Sequence, residues 1–83
     1  MKKIAYSNQA RKTPLRMPAD QAQRIRAKIE QYAGDPVSLA NNVRTLRGRD
    51  GLRLRIGDWR VIFNESGDAI DILVIGPRGS VYG

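Results

Sequence analysis

The stretch RTLRGRDGLRLRIGDWRVIF, from Arg44 to Phe63, holds six arginines and only two acids, and its arginines follow a pattern. From Leu52 to Ile56 the apolar residues Leu52, Leu54 and Ile56 alternate with Arg53 and Arg55, the period of a strand with one buried face. The arginines share the other face. Gly57 and Asp58 then separate this run from Trp59-Arg60-Val61-Ile62-Phe63, a second run rich in residues that strands prefer. Two residues including a glycine between two such runs predict a tight hairpin, because the turns that match strand twist require positive φ. With Trp59, Val61 and Phe63 pointing inward, Arg60 would join Arg53 and Arg55, and three guanidiniums would sit on one small surface.

Like charges held so close repel, at a cost that water and salt reduce without removing. A bound anion relieves it. The planar guanidinium grips phosphate in a bidentate fork, so a rigid sheet carrying several of them suits a phosphate backbone. A solvated face of an exposed sheet accounts for the alternation equally well.

Working outward, 83 residues predict one domain, spanning 1–83, that buries about 60% of its unfolded surface around a single core. The absence of cysteine and histidine excludes disulfides and a Cys/His zinc site, and the carboxylates form no metal-ligand cluster in the sequence, so neither metal nor cofactor is expected. No apolar run is long enough for a membrane span and no signal-peptide core follows Met1-Lys2-Lys3, which predicts a cytoplasmic protein without a membrane partner. The net charge of +7 and pI near 10.6 point instead to a polyanionic partner, nucleic acid or acidic protein.

Lys3 to Tyr6 reads as a short edge strand with Ile4 and Tyr6 on one face. Ser7 can cap a helix from Asn8, which Pro14 must shorten, kink or split. Pro18 suits the first turn of a second helix, where Asp20 and Gln23 resemble a capping box. Ala22, Ile25, Ile29 and Tyr32 or Ala33 form its buried stripe, Gly34 its C-terminal cap, and Arg26 with Glu30 a pair on its solvated face. Pro36 to Asn42 has no period and predicts a loop, Val43 to Leu46 a short strand, and Glu65 to Asp68 a turn. Ala69 to Ile75 is aliphatic apart from Asp71, as in a central strand buried on both faces. The order predicts an α+β domain: a small antiparallel sheet with two N-terminal helices packed on one face and the arginines on the other.

Without histidine or cysteine there is no Ser-His-Asp triad and no thiol nucleophile, and Gly48, Gly51 and Gly57 lack the spacing of a phosphate-binding loop. A site of arginines with Tyr82 nearby can act on RNA, whose 2′-hydroxyl supplies its own nucleophile, whereas DNA would be bound uncut. Taken alone, Tyr82 equally fits a C-terminal aromatic packed on the helices.

The combination Leu46-x-Gly48-x-x-Gly51-x-Arg53-Leu54-Arg55-x-Gly57-Asp58-Trp59-Arg60-Val61-Ile62-Phe63 with Ile75-Gly76-Pro77-Arg78-Gly79-Ser80-Val81-Tyr82 resembles the RelE branch of the RelE/ParE toxin superfamily over nearly the whole chain. The resemblance implies a RelE-like fold. It also implies a type II toxin that cleaves messenger RNA in the ribosomal A site without metal and forms a hetero-oligomer with an acidic antitoxin encoded beside it. Arg53 and Arg55 match two basic residues of the family's active-site strand, Arg60 the arginine of the next strand, and Arg78 and Tyr82, through a shortened segment, an arginine and a C-terminal tyrosine. The basic pair is lysine in RelE itself, and arginine, with a pKa above 12, is a poor general base. Either Tyr82 helps remove the 2′-hydroxyl proton or charge stabilisation carries most of the rate. Two alternatives remain: a ParE-like DNA gyrase inhibitor, whose relatives generally lack the concentrated basic and tyrosine site, and a non-catalytic module that binds nucleic acid or the ribosome.

Overall fold

Strands β3 (Leu52–Ile56) and β4 (Trp59–Ser66) form the hairpin that the alternation predicts, with Ile56 paired to Trp59 across the turn Gly57-Asp58. Gly57 has φ +58° and Asp58 does not have positive φ, the pattern of a type II′ turn, whose twist suits the flanking strands. The computed structural model, which describes residues 2–46, 51–77 and 79, adds β1 (Lys3–Tyr6), β2 (Val43–Thr45) and β5 (Ala69–Pro77) in the order β1-β5-β4-β3-β2. From β2 to β5 the sheet is an antiparallel meander, as expected. Strand β1 joins β5 in parallel and makes the whole sheet mixed. Its direction follows from the next residue: Ser7 donates its N–H to the Ile72 carbonyl, so the chain runs alongside β5 before turning into the first helix.

That helix, α1 (Asn8–Lys12), is capped by Ser7, whose Oγ accepts from the Ala10 N–H at 3.0 Å and donates to the Leu73 carbonyl at 2.6 Å. A 3₁₀ turn over Thr13–Arg16 follows, consistent with a proline interrupting the helix. Helix α2 (Ala19–Gly34) buries Ile25, Ile29, Tyr32 and Ala33, the stripe read from the sequence. Four local expectations change. Pro18 takes the cap position and no side chain caps the helix, so Asp20 serves only as a first-turn acid. The end is closed by the Asp35 N–H on the Gln31 carbonyl at 2.8 Å, without a left-handed glycine. Pro36–Asn42 is a 3₁₀ segment that inserts Leu39 into the core, and so is more than a connecting loop. Arg26 and Glu30 make no ion pair.

The core lies between the helices and one face of the sheet. Ile25 and Ile29 meet Leu54, Val61, Phe63, Ile70, Ile72 and Ile75, and the Tyr32 ring stands edge-on to Phe63 with centroids 5.1 Å apart. Register shifts by one residue between Ile62 and Phe63: Ile62 faces Val74 while Phe63 faces Ile72. The bulge at Leu73 returns Ile75 to the core side and supplies the carbonyl that Ser7 caps onto. Strand β5 is therefore interior, as predicted, although Leu73 and Val74 are only half-buried.

At one end of the core Lys2 forms an ion pair with Glu65, which also accepts the Tyr32 hydroxyl at 2.8 Å. The Lys2 hydrogen bond holds the Glu65 carboxyl below its ordinary pKa, with the Tyr32 bond assisting and burial opposing. Burial, followed by the bond to Glu65, pushes the Tyr32 phenol up to about 12. A carboxyl depressed on folding adds stability above its unfolded pKa and loses it as pH falls through the folded one. A phenol raised on folding adds stability below its unfolded pKa and loses it as pH climbs towards about 12. Tyr32→Phe should therefore cost about 1–2 kcal/mol at neutral pH. Glu65→Gln should lose stability at neutral pH and flatten the acid limb below about pH 4. Urea midpoints measured across the pH range check both.

Candidate active site

Alternation assigns the faces, and register assembles the site. Arg55 lies directly opposite Arg60, Arg53 opposite Ile62, and Arg44 of β2 opposite Arg53. Because Leu54, Ile56, Val61 and Phe63 occupy the core side, these four arginines share the face turned away from the helices. Arg53, Arg55 and Arg60 are thus brought together as read from the sequence. Arg78 and Tyr82 lie outside the described residues. Arg44 was missed; its signal was the short strand before the hairpin, whose antiparallel pairing puts position 44 across from 53.

The arginines differ in how they are held. Arg60 is only 8% exposed, and its Nη1 donates to the carbonyls of Gly57 and Trp59, each at 3.0 Å. Its guanidinium is folded back over the hairpin turn, and Gly76 is its neighbour on β5, so no side chain crowds it from that strand. Arg53 is half-buried, whereas Arg44 and Arg55 are exposed. Among the described residues the one ion pair is Lys2 with Glu65, so Arg44, Arg55 and Arg60 are not neutralised by a described carboxylate. Among the described residues the acid on this face is Asp71, exposed and opposite Asn64, towards the far end of β4.

Other contacts fix the hairpin beneath the arginines. Trp59 donates its indole N–H to the Gln21 side chain of α2 at 3.2 Å, and the Arg24 guanidinium lies against Gly57. Asn42 donates from its side chain to the Arg55 carbonyl at 3.3 Å. Beside that bond, Asn41, Asn42, Arg44, Arg53 and Arg55 line a hollow of about 110 Å³. This geometry can hold a polyanion across three strands and concentrate positive charge where a phosphate gains negative charge.

The family model described as "ParE toxin of type II toxin-antitoxin system, parDE" matches residues 4–82. The chain belongs to this family of toxins. Among solved structures, the archaeal RelE-RelB complex from Pyrococcus horikoshii OT3 shares 28% identity over 95% of this chain and 97% of that chain, with a TM-score of 0.76. The RelB-RelE antitoxin-toxin complex from Methanococcus jannaschii shares 20%, covering 94% of each chain, with a TM-score of 0.73. The isolated E. coli RelE toxin shares 16%, covers 99% of this chain and 92% of that chain, and has a TM-score of 0.74. These likenesses establish the RelE-like α+β fold. No curated protein sequence matches.

Two like-charged cross-strand pairs, Arg44 with Arg53 and Arg55 with Arg60, work against folding. Arg55→Thr removes one repulsion and keeps strand propensity. It should raise stability by about 0.2–1 kcal/mol at low ionic strength, with the gain fading by roughly 1 M salt. Urea unfolding at the two salt concentrations measures it, and a destabilised variant would show that the pair is already compensated within the chain.

Proposed function

We propose that this toxin is a metal-independent endoribonuclease that cuts messenger RNA on the ribosome, in the cytoplasm, and is held inactive by an acidic antitoxin. The observation that carries the reading is the Arg55–Arg60 pair, with one guanidinium fixed by two backbone carbonyls and the other left in solvent. A fixed donor aimed at developing charge needs no reorganisation when that charge appears.

In this reaction the 2′-oxygen attacks the adjacent phosphorus while the bond to the 5′-oxygen breaks. A 2′,3′-cyclic phosphate and a free 5′-hydroxyl result. One proton leaves the 2′-hydroxyl and one reaches the departing oxygen. Arg60 and Arg78 hold the phosphate and stabilise its added charge, and Arg53 and Arg55 position the strand. Arginine stays protonated, so the proton from the 2′-hydroxyl goes to water or to Tyr82 as its phenolate, and water or the phenol so formed gives a proton to the departing 5′-oxygen.

The antitoxin reading draws on the RelB complexes of the similar structures and on a second surface of this chain. Tyr6, Ala10, Leu15, Ile25 and Ile29 line a groove of about 260 Å³ between α1 and α2, with Arg11 and Arg26 along it and Leu15 84% exposed. An amphipathic acidic segment fits that mixture of apolar floor and basic lining. Co-expression with the neighbouring reading frame should yield a complex stable at physiological salt; failure to associate would count against this partner.

The second reading is a ParE-like toxin that inhibits DNA gyrase by binding it, kept because the matching family model is that of the ParE toxin. The two part in a direct assay. Under the first, induced protein arrests translation and produces cuts within translated codons while supercoiling continues. Blocked supercoiling with intact message would establish the second.

Within the site, Arg60→Ala should slow single-turnover cleavage on saturated ribosomes by about 10²–10³-fold, the scale for losing a charge stabiliser. A change in affinity alone would reduce Arg60 to docking. Tyr82→Phe removes only the phenolic hydroxyl: a large fall in the same rate assigns it proton transfer, and an unchanged rate leaves it stacking on a base.

A further inference from the structure

The hollow at the β2 end of the arginine face is not explained by holding one scissile phosphate. Arg60 lies on β4, and Arg44 lies two strands away on β2, roughly 10 Å across the sheet at ordinary strand spacing. Arg60 is tied to the carbonyls at the hairpin turn, whereas Arg44 faces Arg53, two residues further along β3 from that turn, so the two guanidiniums are placed at different points of the face. Between and beside them the 3₁₀ segment contributes two consecutive amides, Asn41 and Asn42, to the same hollow as Arg44, Arg53 and Arg55.

The two amides are held differently. Asn42 is tied to the Arg55 carbonyl and braces the segment against β3. The Asn41 side chain is exposed and makes no hydrogen bond within the described residues, so both its donor and its acceptor face solvent. Arg44 makes only a long contact, 3.4 Å, to the carbonyl of its neighbour Val43. A hollow lined by three guanidiniums and an amide without a hydrogen bond among the described residues, with no carboxylate among its described lining residues, matches one nucleotide: phosphate for the cations, a base edge for the amide.

We propose that this hollow is a subsite for a single-stranded RNA nucleotide flanking the scissile phosphate, with Arg44 on its phosphate and Asn41 reading its base. The proposal rests on the reading of the arginine face as an RNA site. An amide presents a donor beside an acceptor and pairs best with a base edge that does the same, as adenine does with N6 and N7. Adenine is the base the subsite selects. Asn42 and the arginine planes supply the walls, and Arg44 sets how far the strand runs across the sheet.

The test measures binding of four 2′-O-methyl tetranucleotides, which cannot be cleaved and differ only in the flanking base, by fluorescence anisotropy at several salt concentrations. The wild-type chain should prefer adenine by roughly tenfold. Asn41→Ala should bind all four alike, near the weakest wild-type affinity. Arg44→Ala should weaken all four about tenfold and reduce the salt slope by about 0.7, one phosphate on a single strand, while keeping the adenine preference. Lys28→Ala, on α2, is the control and should match wild type. Both positions tested are exposed, and circular dichroism confirms that the variants are folded.

Wild-type affinities and preference retained in Asn41→Ala and Arg44→Ala would overturn the subsite. If the same variants then bound antitoxin more weakly, the hollow would belong to a partner carboxylate. A wild-type chain that binds none of the four also overturns it, and cleavage of ribosome-bound message by that preparation decides separately whether the nuclease reading stands.

Discussion

Hairpin register is the constraint on which the molecule depends. With Ile56 opposite Trp59 across a two-residue turn, Leu54, Ile56, Val61 and Phe63 fall on one side and Arg53, Arg55 and Arg60 on the other. A slip of one residue would carry the guanidiniums into the core and the aliphatic side chains into water, so the fold and the site are specified by the same pairing. Gly57 permits the turn, and Trp59, bonded to Gln21, ties its far side to α2. The core energy of a small domain and the alignment of its arginines cannot be changed independently here.

The helices contribute to the site indirectly, through β5. Ser7 caps α1 and bonds the Leu73 carbonyl at the bulge, while Gln9 both donates to and accepts from the backbone of Ile75, at 3.2 and 3.1 Å. These contacts pin the second half of β5, where Gly76 lies opposite Arg60. The bulge is therefore structural on both sides of the sheet: it aligns Ile75 with the core and leaves a small residue beside the buried arginine.

Much of this was legible because β3 alternates with a strict period of two and the turns on either side of β4 contain glycine. The α2 stripe, the Ser7 cap and the interruption of α1 were equally plain, since they rest on local chemistry. What could not be read was long-range pairing. Nothing in Lys3 to Tyr6 tells that its partner is β5 and its direction parallel. Nothing in Pro36 to Asn42 announces that Leu39 is buried and that the two asparagines end beside the arginines. Capping also misled: Asp20 and Gln23 have the right spacing, but Pro18 had already set where the helix starts. Of the five residues the family resemblance singled out, register unites Arg53, Arg55 and Arg60, while Arg78 and Tyr82 lie beyond what the structure describes.

The arrangement of charge gives a physical reason for this toxin and its antitoxin to be coupled energetically. Directly opposed arginines oppose folding, and a domain of this size has little stability in reserve. Screening by salt lowers that repulsion only partly, and Arg60, buried and held by carbonyls, is screened least. Any anion that binds this face favours the folded state in proportion to its occupancy, whether it is RNA phosphate or an acidic segment of a partner. Two anions that both reached this face would compete for one source of stabilisation. A partner whose acidic residues reached the arginines would protect the fold and cover this face by the same contacts, whereas one seated only in the groove between α1 and α2 would leave the repulsion in place.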